Sequence, residues 1–271
     1  MFHYTDANGL IGIIGGRSFW ATDMRFLNDS MEVEAGIEGV KRLCEDYFEK
    51  FKESQNPVES ASSQFYSVIP KFVNENLRSR NLYTVSFSKS EDNLRQWMAY
   101  CPPNAGYCIK FNREKLLIDA ALERERRVVA RVQDVEYTSN YLKELISIEK
   151  IAKELKKITE IKNGKEEYLT NLASDLLFGS CAMKNNEFHD EKEIRLIIQS
   201  NLTKSNLAKF RVKSGVIVPY FEYPVNMDSI EKITIGPSLN KELAKKGLQD
   251  FLEINKVNCE IKFSDCSLRV F

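Results

Sequence analysis

Leu82-Tyr83-Thr84-Val85-Ser86-Phe87-Ser88 and Glu191-Lys192-Glu193-Ile194-Arg195-Leu196-Ile197-Ile198 decide how this chain folds. Side chains of a strand alternate between its two faces. In the first stretch Tyr83, Val85 and Phe87 point one way, and Thr84, Ser86 and Ser88 the other. In the second, Ile194, Leu196 and Ile198 form an apolar face opposite Glu191, Glu193 and Arg195. Both read as strands that bury one face and present polar, reactive groups on the other. A short strand at Phe2–Thr5 adds His3-Tyr4-Thr5 ahead of them. A histidine, a serine pair and a Glu-x-Glu, in that order, suggest a site that binds a ribose and stabilises positive charge.

Working outward, Asp6 or Asn8 caps a short helix through Leu10–Ile14, ended by Gly15-Gly16. Ser18–Thr22 reads as a strand, and Asn28-Asp29-Ser30 opens an amphipathic helix with Asp29 and Glu32 at capping-box spacing. The polar residues 54–63 read as a loop before a helix at Gln64–Arg78. A helix at Asn93–Tyr100, stopped by Pro102-Pro103, is followed by strands at Gly106–Phe111 and Val128–Tyr137. From about 139 to 185 the pattern is helical, with Leu142, Leu145, Ile148, Ile151, Leu155 and Ile158 recurring every three or four residues. Asn163-Gly164 breaks it, so the segment reads as an inserted helical hairpin. Strands at Lys192–Gln199, Phe210–Tyr223 and Lys232–Ile235, a helix at Asn240–Ile254 and a strand at Cys259–Phe263 complete the chain. Without a regular βαβα rhythm this is an α+β fold with mixed and antiparallel sheets, in a single domain over 1–271.

Composition narrows the function. Thirty-nine basic and 39 acidic residues balance, so no global field draws nucleic acid or an anionic membrane. Six scattered cysteines without Cys-x-x-Cys, and two histidines, argue against structural zinc or a disulfide framework. The first residues carry no basic-then-apolar leader, and no apolar run approaches the roughly 20 residues that span a bilayer. A cytoplasmic protein with reduced thiols is expected.

His3-Tyr4-Thr5, Leu27-Asn28-Asp29, Val85–Ser88, Gln96-Trp97 with Tyr100, Gly106–Phe111, Glu191–Arg195 and Ile235-Gly236-Pro237 together resemble a bacterial family known as domain of unknown function 2971. More distantly, the chain resembles the ADP-ribosyltransferase superfamily, with its first-strand His or Arg, its Ser-x-Ser middle strand and its late Glu-x-Glu. That resemblance implies NAD as substrate and no metal. By it, His3 contacts the ribose and the nicotinamide amide, with Tyr4 and Thr5 beside it in the cofactor-binding set. Ser86 and Ser88 support the first strand and the catalytic glutamate, Glu193 holds the nicotinamide ribose, and Glu191 orients or activates the acceptor. The acceptor would be a macromolecule, protein or nucleic acid, and the cellular role that of a bacterial toxin or phage-defence effector. Ser-Phe-Ser replaces Ser-Thr-Ser here, and the long helical segment before Glu191 has no counterpart in a minimal transferase.

Each residue also has a plainer role. His3 could be a buried histidine bonded to backbone, and Ser88-Lys89-Ser90-Glu91 a capping box for the next helix. Glu191 and Glu193 could pair with Arg195 on a strand face. Trp97 reads as core, while Tyr100 or Tyr107 could stack on nicotinamide. Asn28-Asp29 reads first as a turn, and the lysines of the hairpin as a solvated face that could meet RNA or a partner protein. Two further readings share the fold: an NAD glycohydrolase with water as acceptor, and a non-catalytic binding or antitoxin-like protein.

Overall fold

The computed structural model describes residues 1–27, 32–101, 106–117, 128–138, 140–158, 164–200, 208–237 and 240–266. The two alternating stretches become neighbouring strands. β3 (Asn81–Ser88) and β6 (Glu193–Ser200) run antiparallel without interruption from Asn81↔Ser200 to Ser88↔Glu193. β5 (Val128–Asp134) covers the far edge of β6.

The other edge of β3 is broken. β1 (Phe2–Thr5) meets it at Phe2↔Ser88, and β2 (Ser18–Asp23) at Thr22↔Thr84 and Asp23↔Tyr83. Over Val85–Phe87 the sheet therefore forks. One branch continues from β1 through β4 (Tyr107–Phe111) and β9 (Ile230–Ile235) to β10 (Glu260–Phe263). The other runs from β2 through β8 (Val216–Pro224) to β7 (Lys209–Lys213). β9 and β10 pair parallel, and the strand pairs at the fork are antiparallel.

Two apolar clusters hold this arrangement. On one side Tyr83, Val85 and Phe87 of β3 meet Ile194, Leu196 and Ile198 of β6, as the alternation requires, together with Leu10, Ile13 and Ile14 of α1 (Ala7–Gly16). On the other side Leu82 and Ile197 face helices α2 (Glu32–Phe51), α3 (Pro57–Ser79) and α8 (Gly164–Cys181). Fully burying one such aliphatic side chain contributes about 1.5–3 kcal/mol. β3 and β6 both contribute to the two clusters, and β6 is buried along its whole length.

Several expectations change. The helical run after residue 139 divides into α6 (Asn140–Leu145) and α7 (Ile148–Ile158), and the Tyr66 hydroxyl donates to the Ile146 carbonyl at that break (3.0 Å). The second helix of this segment packs into the core: Leu176, Leu177 and Phe178 of α8 are fully buried, and Gly36 of α2 lies so near Ser180 that a Cβ there would stand 2.8 Å away. α3 starts seven residues earlier than Gln64, because Asn56 accepts from the Val58 amide and Pro57 occupies the first turn, where no amide is needed. The long strand at 210–223 is a hairpin, turned at Ser214-Gly215 with φ of +48° and +79°. Asn28-Asp29-Ser30, Pro102-Pro103 and Asn163 lie outside the described residues. Among the described residues no helix is long and apolar enough to cross a membrane, and no group of three His, Cys, Asp or Glu is placed to hold a metal ion. The six cysteines are unpaired.

Candidate functional site in the fork of the sheet

The fork leaves backbone groups of β3 without strand partners, and a side chain answers one of them. His3 Nδ1 lies 2.9 Å from the Ser86 carbonyl oxygen. A carbonyl only accepts, so Nδ1 carries the proton and Nε2 is left as an acceptor. The ring sits edge-on to Phe19 (centroids 5.4 Å) and tilted against Phe87 (5.5 Å). Burial holds the His3 pKa below the ordinary histidine value, against the opposing bond to Ser86. At neutral pH it is therefore the uncharged imidazole.

Below the fork lies a cluster of four charges. Arg195 donates to Glu193 through two nitrogens, Nε to Oε1 (2.9 Å) and an Nη to Oε2 (3.0 Å). Lys184 Nζ bridges Glu193 Oε2 (3.1 Å) and Glu191 Oε2 (2.8 Å). Burial alone would raise the Glu193 pKa. Arg195 outweighs it, with help from Lys184 and a Ser86 hydrogen bond, and the carboxyl stays ionised below the usual range. Burial alone would likewise lower the Lys184 pKa, and the glutamates outweigh that too, so the ammonium stays charged. Glu193 is 5% exposed, and the Glu191 side chain 25%.

Local geometry explains how Glu191 reaches that cluster. It ends a 3-10 turn at Asn186–Glu191 and is not a strand residue, contrary to the alternation reading. Lys192 has φ of +46°, which resets the chain before β6 begins at Glu193. Ser88 Oγ donates to the Glu191 carbonyl (2.9 Å) and accepts from the Ser90 amide (3.1 Å), tying β3 to the turn. It caps no helix: α4 (Leu94–Tyr100) is capped by Asn93.

α4 forms another wall. Asp92 accepts from Trp97 Nε1 (2.6 Å), Ser264 Oγ (2.6 Å) and the Asp265 amide (2.8 Å), pinning the helix to the segment after β10. Gly236 is needed at this contact, since a Cβ there would stand 2.8 Å from the Trp97 ring. Trp97 is thus core, and it presents Gln96 and Tyr100 to the cavity. Burial, then Glu191, pushes the Tyr100 phenol up to about 12.

His3, Tyr4, Thr5, Ser86, Ser88, Tyr100, Glu191 and Glu193 all line one cavity of about 830 Å³. That lies within the roughly 300–1,000 Å³ of small-molecule sites. Tyr4 contributes as an anchor, because its hydroxyl donates to the Ser90 carbonyl (2.8 Å) and accepts from the Asn93 amide (3.0 Å). Tyr107 does not line the cavity: it pairs with Thr5 across β4 and packs on the first apolar cluster. It is corrected to a framework residue. Lys184, Trp20 and Arg211 also line the cavity without having been singled out from the sequence, and Gln96, quoted there only for the family resemblance, does so too. The Ser214-Gly215 turn is the signal that would have found Arg211, since splitting the strand there puts Lys209, Arg211 and Lys213 on one face.

Residues 96–196 match a family model described as protein of unknown function (DUF2971), a span from α4 through Glu191 and Glu193 into β6. No curated protein and no solved structure matches the chain.

Proposed function

We propose that the chain binds NAD across the fork cavity and transfers its ADP-ribose to a macromolecular acceptor. The observation that carries this reading is the convergence of His3, Ser86, Ser88, Glu191 and Glu193, from three distant parts of the chain, on one cavity. Support comes from the residues, since the family match names no activity. The neutral His3 offers Nε2 as an acceptor for a carboxamide N–H or a ribose hydroxyl. Gln96, 6% exposed on the cavity wall, offers a complementary amide. In the reaction the C1′–N bond to nicotinamide breaks, nicotinamide leaves with the bonding pair, and positive charge develops on the ribose. A fixed, ionised carboxylate beside that sugar stabilises the transition state by several kcal/mol, of order 3–4 for comparable preorganised groups. Glu193 is the ionised, buried candidate, and the more exposed Glu191 faces an incoming acceptor, whose nucleophile attacks C1′ and loses its proton.

One observation favours a second reading. Glu191 and Glu193 are matched by Lys184 and Arg195, two charges against two, so the cluster is neutral as it stands. A pocket built this way also suits binding without turnover. Nicotinamide release by the purified chain, with and without cell lysate, separates the readings. Release that depends on lysate supports transfer, release without it supports hydrolysis by water, and none at millimolar NAD with the fold intact supports the binding module.

A further inference from the structure

The cavity has a second end, away from the glutamates, walled by β2, β3 and β7 and built differently. Along β2, Ser18, Trp20 and Thr22 turn to the cavity while Phe19 and Ala21 enter the core. Trp20 is 45% exposed and stacks on Tyr220, with centroids 4.8 Å apart and planes 28° from parallel. Arg211 of β7 lies against both rings, its guanidinium carbon 5.8 Å from the Trp20 centroid and 5.7 Å from that of Tyr220. One terminal nitrogen donates to Thr22 Oγ1 (2.7 Å).

Two polar atoms at this end are left over. Arg211 Nε and Thr84 Oγ1 are buried and have no hydrogen-bond partner, and Thr84 as a whole is 3% exposed. Native proteins rarely leave such groups unmatched, because a buried donor or acceptor without a partner loses its water and gains nothing in return. Arg211 also has no carboxylate partner among the described residues. Glu222, which faces Trp20 across the β2–β8 ladder, is taken by Lys209 (2.6 Å). The guanidinium is thus a half-buried cation with a spare donor at Nε, set against two rings and a threonine, with Lys213 beside it on the same wall. A spare guanidinium donor and a threonine hydroxyl suit phosphate oxygens, and an exposed indole face suits a nucleobase.

We propose that this end of the cavity is a nucleotide subsite, in which Arg211 and Thr84 hold phosphate oxygens and Trp20 stacks on the base. It deepens the NAD reading by giving the ADP half its own place, and rests on that reading only for the identity of the full ligand.

ADP is the test probe, because it has no nicotinamide to lose. Trp97 is 2% exposed and Trp20 is the other tryptophan of the chain, so quenching of intrinsic fluorescence reports on Trp20. ADP should quench the full chain, and adenosine should bind more weakly. Added salt should weaken ADP and leave adenosine unchanged. Arg211→Gln should weaken ADP by at least about tenfold, the scale of a hydrogen bond to a charged group, while adenosine stays within about twofold. Arg211→Lys keeps the charge and most of the stem, so it should recover part of the ADP affinity even where Arg211→Gln loosens the hairpin. Equal binding of ADP and adenosine by the wild type, no salt dependence, or unchanged ADP affinity in Arg211→Gln would overturn the subsite. ADP binding without NAD turnover strikes the transfer reading alone, and NAD turnover without ADP binding strikes this subsite alone.

Discussion

The two edges of β3 are opposites. Toward β6 every residue from Asn81 to Ser88 has a partner, while toward the fork Val85–Phe87 face neither β1 nor β2. Along the sealed edge the ladder consumes the backbone groups and the apolar side chains close both cores. Along the open edge His3 replaces one ladder bond, and the space that two strands would have filled becomes the cavity. The cavity opens on one side of β3, and from the sealed side only the end of β6, at Glu193 and Arg195, reaches it.

The largest effect that would break this contrast is at the sealed edge. Arg195→Met leaves Glu193 buried with Lys184 as its remaining cation, and breaking a buried pair costs about 3–5 kcal/mol. Urea denaturation should show that loss, and Glu193→Gln combined with Arg195→Met should recover part of it. A double variant no more stable than Arg195→Met would show that charge pairing is not what holds this end of β6. Leu196→Ala, at a fully buried position of the same strand, should cost about 2–5 kcal/mol.

Acid titration sharpens the comparison at intermediate size. Both His3 and Glu193 have folded pKa values below their ordinary ones. The unfolded chain therefore binds protons first as pH falls, and stability falls with it. The His3 contribution is complete above about 6.5 and is lost as pH drops through its lowered folded value. That of Glu193 is complete above about 4.3 and is lost in the same sense. His3→Gln should flatten the upper limb of stability against pH and spare the lower one. An unchanged upper limb would mean that His3 is as easily protonated in the fold as out of it.

The smallest effect belongs to the open edge. Ser86 is exposed to the cavity but hydrogen-bonds the Glu193 carboxylate, so Ser86→Ala should cost about 1.5 kcal/mol in urea denaturation, the low end for a hydrogen bond to a charged group. A loss as large as that of Leu196→Ala would mean the open edge carries structural weight after all.

The alternation in Leu82–Ser88 and Glu193–Ile198 made the sealed edge legible, because period two is a local property and both strands obey it. It also carried Glu191 too far. One left-handed residue, Lys192, ends the strand, and nothing in Glu-Lys-Glu signals it. The fork was not legible, since it depends on where β1 and β2 leave β3, and pairing between distant segments has no local mark. Lys184 was hidden for the same reason: it follows a helix by three residues in sequence and meets the glutamates only through the chain's return. Arg211 could have been found from the Gly215 turn. Tyr107 was misplaced because a strand end looks alike whether it points to a cavity or to a neighbouring strand.

Turnover by Glu193→Gln tests the account most directly, followed as nicotinamide release at a temperature where circular dichroism shows the variant folded. A carboxylate that acts on charge developing in the transition state should be missed in kcat and hardly in NAD affinity. Turnover should fall by about a hundredfold or more, with NAD still bound. Full turnover in that variant would contradict it.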